Sequence, residues 1–381
     1  MVCPMKRIFS LLLALLLLTA LLPAAQAEDL AVDSQACLLM EKTTGQVLYA
    51  VNEHEQLEPA SVTKIMTLLL VMEAIDSGSL RYDDTVTASA YACSMGGSQI
   101  WLKENEQMTV HDLLKAVCVA SANDASVALA EHIAGSADVF VEKMNQRAKE
   151  LGMNDTTFRN PTGLPADGHV TSAYDIAVMS RELILRHPDI RQFTTIWMDS
   201  LRGGEFGLNN TNKLIRYYQG ATGLKTGSTD AAQYCLSATA EREGMELIAV
   251  ILKSPTSTQR FESAKVLLNY GFASYGLASP EPPALSPIPV TLGEEAAVEV
   301  RMEGDSTILA PREKLGSLEV EIDQEEALSA PVEAGQVVGQ MRVVSNGEVL
   351  AEIPLAAERS VARLTYWQLL LRCLKAAFLG G

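Results

Sequence analysis

The sequence lacks what several classes of function require. No run of lysine and arginine occurs in its 381 residues, and acids outnumber bases 47 to 30, for a formal charge of −17. Binding a phosphate backbone takes cations, so a nucleic-acid partner is excluded. No His-x-x-x-His or Cys-x-x-Cys spacing occurs, which removes the common ligand patterns of zinc and redox sites. Gly-x-Ser-x-Gly is missing as well, and with it the nucleophile elbow of many Ser-His-Asp hydrolases. The five histidines, His54, His111, His132, His169 and His187, stand in mostly polar contexts and read as surface or capping residues. No apolar run reaches the roughly 20 residues of a membrane-spanning helix.

Six cysteines are present: Cys3, Cys37, Cys93, Cys118, Cys235 and Cys373. Cys37, Cys118 and Cys235 lie in apolar stretches and read as small core residues rather than disulfide partners. The rest of the composition, 48% apolar and 20% charged, is globular, at a length that suits two domains and a short appendage.

Both ends carry addresses. Residues 1–27 combine Lys6 and Arg7, an apolar run from Leu11 to Leu22, and Ala25-Gln26-Ala27, the pattern of a cleaved secretory signal. Residues 359–381 hold Arg359, Arg363, Arg372 and Lys375 and no acid. Within them Leu364, Trp367, Leu371, Leu374 and Phe378 recur at helical spacing while Gln368, Arg372 and Lys375 share another face. A segment of 16 residues at about 1.5 Å each is too short for a hydrocarbon layer of about 30 Å. The expectation is an amphipathic helix lying in an anionic membrane surface.

Between the ends, residues 28–277 mix helical and strand-like segments. Cys37–Val51 reads as two short strands joined near Thr44-Gly45. Helices are expected over Val62–Ile75, Val110–Ala134, Val139–Leu151, Ser172–Arg186 and Phe261–Tyr270. Thr222–Thr229 reads as a Gly-bounded turn region between other elements and the strands Tyr234–Ala240 and Leu247–Leu252. This pattern indicates an α+β class. Residues 278–289 contain Pro280, Pro282, Pro283, Pro287 and Pro289, a stiff linker. Residues 290–358 give short strands at Ala296–Met302, Leu318–Ile322, Val337–Val344 and Val349–Leu355, with a hairpin signal at Asn346-Gly347. They read as a small all-β, sandwich-like domain without a cluster of catalytic residue types.

Three short motifs carry chemistry. Ser61-Val62-Thr63-Lys64 puts a hydroxyl and an amine on one face at the start of an apolar helix. A serine hydroxyl needs a neighbouring base to become a nucleophile, and a lysine amine serves when burial and nearby cations keep it neutral. Ser121-Ala122-Asn123 follows apolar Leu113–Ala120 and offers a second hydroxyl and an amide at a buried edge. Lys225-Thr226-Gly227 supplies a cation, a hydroxyl and a close backbone approach for an extended ligand with a carboxylate. A Ser-x-x-Lys spacing arises by chance roughly once or twice in a chain this long, a Lys-Thr-Gly roughly a tenth of a time; the ordered set is far rarer than either.

That ordered set is the one found in penicillin-binding proteins and serine β-lactamases, and the chain resembles the D-alanyl-D-alanine carboxypeptidases, low-molecular-mass penicillin-binding proteins. Pro59–Thr67, Met95-Gly96-Gly97-Ser98-Gln99, Asn160–Pro165 and Gly223–Gly227 are similar too. The resemblance implies a β-lactamase/transpeptidase-like catalytic domain, followed by the β-rich domain and the anchoring helix. It implies removal of the terminal D-alanine from peptidoglycan pentapeptides through an acyl-enzyme on Ser61, with β-lactams as inhibitors and no cofactor or metal. Lys64 would be the general base, Ser121 the proton relay to the leaving amine, and Asn123 the group holding Lys64 and the substrate amide. Lys225 and Thr226 would bind the terminal carboxylate, Gly227 would complete that substrate-binding stretch, and the backbone N–H groups of Ser61 and Ser228 would form the oxyanion hole. Arg260 would add positive charge near that carboxylate. The expected location is the outer face of the cytoplasmic membrane.

Two other readings share parts of this pattern. A serine β-lactamase of class A needs a glutamate-activated water for deacylation, and no Glu-x-x-Leu-Asn-like segment lies between Asn123 and Lys225. A non-catalytic penicillin-recognising wall protein has no need of a lysine beside Ser61.

Overall fold

The computed structural model describes residues 30–379; the signal expected at residues 1–27 lies outside them. Five antiparallel strands form the central sheet: β1 (Ala36–Glu41), β2 (Val47–Val51), β3 (Ala221–Thr229), β4 (Gln233–Arg242) and β5 (Met245–Ser254), in the order β2-β1-β5-β4-β3. Side chains alternate across a strand, and here both faces are covered. Leu39 and Leu247 meet the helix Ser257–Ser274, where Gly271 sits so close that an added Cβ would lie 2.5 Å from a Leu247 methyl. Leu38, Met40, Ile248 and Val250 point the other way, into the main core. Nearly every residue of β5 is therefore buried, and its sequence reads as one apolar run. At the β1–β2 turn the buried Glu41 carboxylate accepts the N–H groups of Thr43 and Thr44 and the Thr44 hydroxyl.

The main core is helical. Helix α1 (Lys64–Asp76) is buried on almost all sides, as its Ile65, Met66, Leu68, Leu69, Val71 and Met72 require. Around it stand α2 (Val110–Ala120), α3 (Asn123–Ala134), α4 (Ala137–Glu150) and α5 (Ala173–Arg186). The continuous helix expected over Val110–Ala134 is broken. Ser121 ends α2 in the left-handed region, φ +62°, and Ala122 is extended. Apolar spacing continues across the break, so periodicity alone cannot see it. The turn region expected at Thr222–Thr229 is instead strand β3, paired along its length to β4. Its glycines lower β propensity, but they are present for close approach, as the site below makes clear. Helix α6, Ser257–Ser274, is longer than expected because the Thr256 hydroxyl caps it, accepting from Gln259 N.

The last strand of this region, β6 (Tyr275–Ala278), pairs antiparallel with Ile308–Pro311 of the β-rich part, and Arg312 bonds Phe272 O at 2.8 Å and Glu243 at 2.9 Å. Beyond the prolines, one sheet is built from Val300–Met302, Glu348–Ala357, Val337–Ser345 and Leu318–Gln324, another from Ala297–Val298, Ile288–Thr291 and Leu328–Ser329. The Asn346-Gly347 turn has φ of +50° and +80°, the two positive values a two-residue hairpin of this type demands. Helix α7 (Tyr366–Leu379) leans on this part through its polar side: Gln368 donates to Glu294 at 2.8 Å and Arg372 to Gly293 O at 3.0 Å. Tyr366 and Trp367, 72% and 69% exposed, and Leu371 remain uncovered. No helix among the described residues is long and apolar enough to cross a membrane. The five cysteines there are all free.

Candidate active site

Ser61 lies in a single 3-10 turn, Ala60–Thr63, that leads into α1. One turn on, Lys64 is fully enclosed. Its Nζ reaches Ser61 Oγ at 2.9 Å, Asn123 Oδ1 at 2.6 Å and the Thr162 carbonyl at 2.7 Å. Asn123 is the first residue of α3, and its Nδ2 donates to Gly96 O at 2.6 Å. That second bond fixes the amide orientation, turning the oxygen to Lys64. The left-handed turn at Ser121 allows both side chains of this motif to face the cleft rather than opposite sides of a helix.

Strand β3 closes the other wall. Lys225 Nζ, also buried, lies 2.9 Å from Ser121 Oγ and 2.9 Å from Thr226 O, and the Thr226 hydroxyl bonds Thr211 Oγ1 at 2.7 Å. A Cβ on Gly227 would stand 2.8 Å from Ser61 N and 2.9 Å from Pro59 O. Only glycine lets the strand lie against the nucleophile's own backbone. Ser228 follows at the exposed lip. The structure thus brings Ser61, Lys64, Ser121, Asn123, Lys225, Thr226, Gly227 and Ser228 to one cleft. It ties Ser121 to Lys225.

The electrostatics follow from burial without a paired anion. Neither lysine has a carboxylate within ion-pair distance among the described residues. Desolvation, and then the charge of Lys225, hold the Lys64 amine well below the ordinary lysine range. Burial lowers Lys225 to about 7, with Arg260 adding to the effect. Arg260 is itself depressed by burial, to about 10. It supports the β3 strand, donating to Gly227 O at 3.0 Å and Cys235 O at 3.2 Å, with Tyr234 and Phe261 rings 5.4 and 4.7 Å away.

Several residues of the site were not identified from patterns as site residues. Asp124, fully buried, accepts the N–H groups of Ile100 and Leu102 and so pins the loop that carries Gly96 to Asn123. Thr162 supplies only its carbonyl, a contribution no side-chain motif encodes. The Asn160-Pro161-Thr162-Gly163 turn did carry a signal, since Asn160 Oδ1 accepts from Thr162 N, Thr162 Oγ1 and Gly163 N, the local bonding asparagine favours in turns. His169 corrects the expectation of a surface or capping histidine. It is buried behind the site, 2.9 Å from Thr63 Oγ1, and desolvation pushes it down to about 4. His187, buried as well, caps the C-terminal end of α5 beside the exposed Asp76.

Comparison with known proteins supplies the family. Residues 23–256 match the family described as D-alanyl-D-alanine carboxypeptidase, and residues 283–363 match the C-terminal domain of penicillin-binding protein 5. The D-alanyl-D-alanine carboxypeptidase DacF of Bacillus subtilis is 41% identical over 372 residues, covering 94% of this chain and 95% of that protein. The crystal structure of penicillin-binding protein 5 from Haemophilus influenzae superposes with a TM-score of 0.80 at 30% identity, covering 88% of this chain and all of that one. Penicillin-binding protein D2 from Listeria monocytogenes, solved in its ampicillin-bound form, is 34% identical with a TM-score of 0.59 over 64% of this chain and 100% of its own. A serine and lysine one turn apart, two motifs folded onto them, and relatives matched over both parts lead to one conclusion: the chain belongs to the D-alanyl-D-alanine carboxypeptidase family of serine peptidases.

Proposed function

We propose that the carboxypeptidase chemistry of this family runs here through Ser61 as nucleophile and Lys64 as base, releasing D-alanine from peptidoglycan pentapeptides and forming a stable acyl-enzyme with β-lactams. The observation that carries the reading is the environment of Lys64 Nζ. Two of its three partners, Asn123 Oδ1 and the Thr162 carbonyl, can only accept hydrogen bonds. A neutral amine has two N–H groups and one lone pair. With both donors committed, a neutral Lys64 has its lone pair left for the third partner, the Ser61 hydroxyl 2.9 Å away.

One proton shared by two buried amines balances the cycle. It starts on Lys225, where it faces the substrate carboxylate. Ser61 loses its proton to Lys64 as Oγ bonds the carbonyl carbon, and the backbone N–H groups of Ser61 and Ser228 receive the oxyanion. When the C–N bond breaks, Ser121 gives its proton to the leaving amine and is reprotonated by Lys225, to which it is bonded. Lys64 now holds the shared proton. Water, losing its proton through Ser121 to Lys225, then attacks the ester, and Lys64 returns its proton to Ser61.

This cycle fixes the sign of the pH dependence. Acylation by penicillin is expected to rise with pH as Lys64 loses its proton, with the midpoint well below the ordinary lysine value because burial depresses it. Carboxylate binding favours protonated Lys225, so the rate falls again on the alkaline side of about 7. A rate that keeps climbing with a midpoint near that of a free lysine would overturn the assignment of Lys64.

The exported, membrane-surface location is part of the same proposal. Its support is the signal-like residues 1–27 and helix α7, whose polar side is held by Glu294 and Gly293 while Tyr366, Trp367 and Leu371 stay exposed. At about 1.5 Å per residue, its 14 residues reach about 21 Å, a length that suits lying in the surface and not crossing it. Chain beginning at Glu28 is expected to co-sediment with phosphatidylglycerol vesicles, and the same chain ending at Arg363 to stay in the supernatant. Equal partition of the two would remove the anchor.

A further inference from the structure

Trp101 has no part in the chemistry above, yet it is held in an unfavourable state. Its φ is +59°, the left-handed region that a bulky residue normally avoids. Burial does not compensate, since the side chain is 67% exposed and tryptophan is seldom left so open. The flanking backbone is clamped on both sides. Ile100 N and Leu102 N donate to the buried Asp124 carboxylate at 3.1 and 3.0 Å, and Ile100 O accepts from Arg202 at 2.9 Å. Arg202 is fixed in turn by Glu106 at 2.7 Å and lies over the Phe206 ring. Ile100 and Leu102 bury their side chains, so the indole between them is thrown outward. Strain kept by its surroundings at an exposed residue points to function.

The loop that carries this indole borders the cleft. The same loop gives Gly96 O to the Asn123 side chain and Ser98 O to Asn123 N at 2.7 Å. At Gly97 an added Cβ would lie 2.9 Å from Asn123 Nδ2 and 3.8 Å from Leu164, so the loop crosses from α3 towards the Gly163 turn and forms a rim of the site. Among the described residues no aromatic ring or cation stacks on Trp101. An open indole offers a flat uncharged face with one N–H at its edge. The apolar C–H face of a pyranose, rimmed by hydroxyl groups, matches it.

We propose that Trp101 is a stacking platform for a hexosamine ring of the glycan to which the stem peptide is attached, so that the enzyme recognises the sugar as well as the peptide. The proposal rests on the carboxypeptidase reading. It is tested by D-alanine release from a free pentapeptide and from the same pentapeptide on its disaccharide. Wild type is expected to favour the disaccharide form roughly five-fold in kcat/KM, mainly through KM. In Trp101→Ala that ratio falls to about one, and Trp101→Phe keeps most of it. Trp101→Gly, which removes the strain, loses the preference but melts at a higher temperature. A wild-type ratio of one, or an unchanged ratio in Trp101→Ala, overturns the platform. Failure of the parent reading looks different, as neither substrate then releases D-alanine.

Discussion

Ser61→Ala is expected to lower D-alanine release by about 10⁴- to 10⁶-fold, the range seen when the nucleophile of a hydrolytic set is removed, and to abolish labelling by penicillin. The size follows from what is lost. Among the described residues the hydroxyl is the one partner left for the lone pair of a neutral Lys64, because its two N–H groups are committed to Asn123 and Thr162. No second acceptor of the acyl group takes its place. Ser121 stands nearby but is bonded to Lys225, whose protonated form cannot act as a base. Folding should be little affected: Ser61 is half-buried, and Lys64 retains two of its three partners. The thermal midpoint is therefore expected to stay within a few degrees of wild type. Release and labelling that persist in a folded Ser61→Ala protein would remove Ser61 from the mechanism and shift attention to Ser121.

How far the sequence carries the site depends on which atoms do the work. Side-chain groups declare themselves through type and spacing: Ser61 and Lys64 by one helical turn, Ser121 and Asn123 by a shared break, Lys225 by its neighbouring glycine. Backbone groups do not. The Thr162 carbonyl acts on Lys64 without using its own side chain, and Asp124 acts only through two amides of a loop some 20 residues earlier. The fold shows the same division. Strands buried on both faces, such as β5, are plain in the sequence as continuous apolar runs. Strand β3 is not, because the glycines that admit it to Ser61 weaken its strand signature. Short pairings such as Ile288–Thr291 with Leu328–Ser329 are set by distant partners and leave no local pattern. The Asn346-Gly347 hairpin is the opposite case, where turn chemistry and φ requirement coincide in two residues.

Gly163→Ala is expected to be the most damaging change that removes no functional side chain. Gly163 has φ +80°, and a Cβ there would stand 1.8 Å from the Ala60 carbonyl oxygen and 2.9 Å from Ser61 N. The obstacle is backbone, so no rotamer relieves it; either the Asn160–Gly163 turn or the Ala60–Ser61 segment must move by more than an ångström. The left-handed conformation costs an alanine about 1 kcal/mol, and the displacement should raise the total to about 3 kcal/mol or more, in the range reserved for specific backbone conflicts. For a unit of this size that corresponds to a fall in Tm of roughly 6–12 °C. Activity suffers separately. The turn presents Thr162 O to Lys64, and Ala60 precedes the nucleophile, so the shift separates base from hydroxyl; a misplacement of about 1 Å costs about 10²-fold in rate. Gly152 provides the control. Its φ is +74° but nothing lies within 4 Å of its added Cβ, so Gly152→Ala should cost about 1 kcal/mol and leave kcat unchanged. If denaturant melts and D-alanine release showed the two variants to be equally stable and equally active, the close approach of the Gly163 turn to Ser61 would play no part in holding the site together.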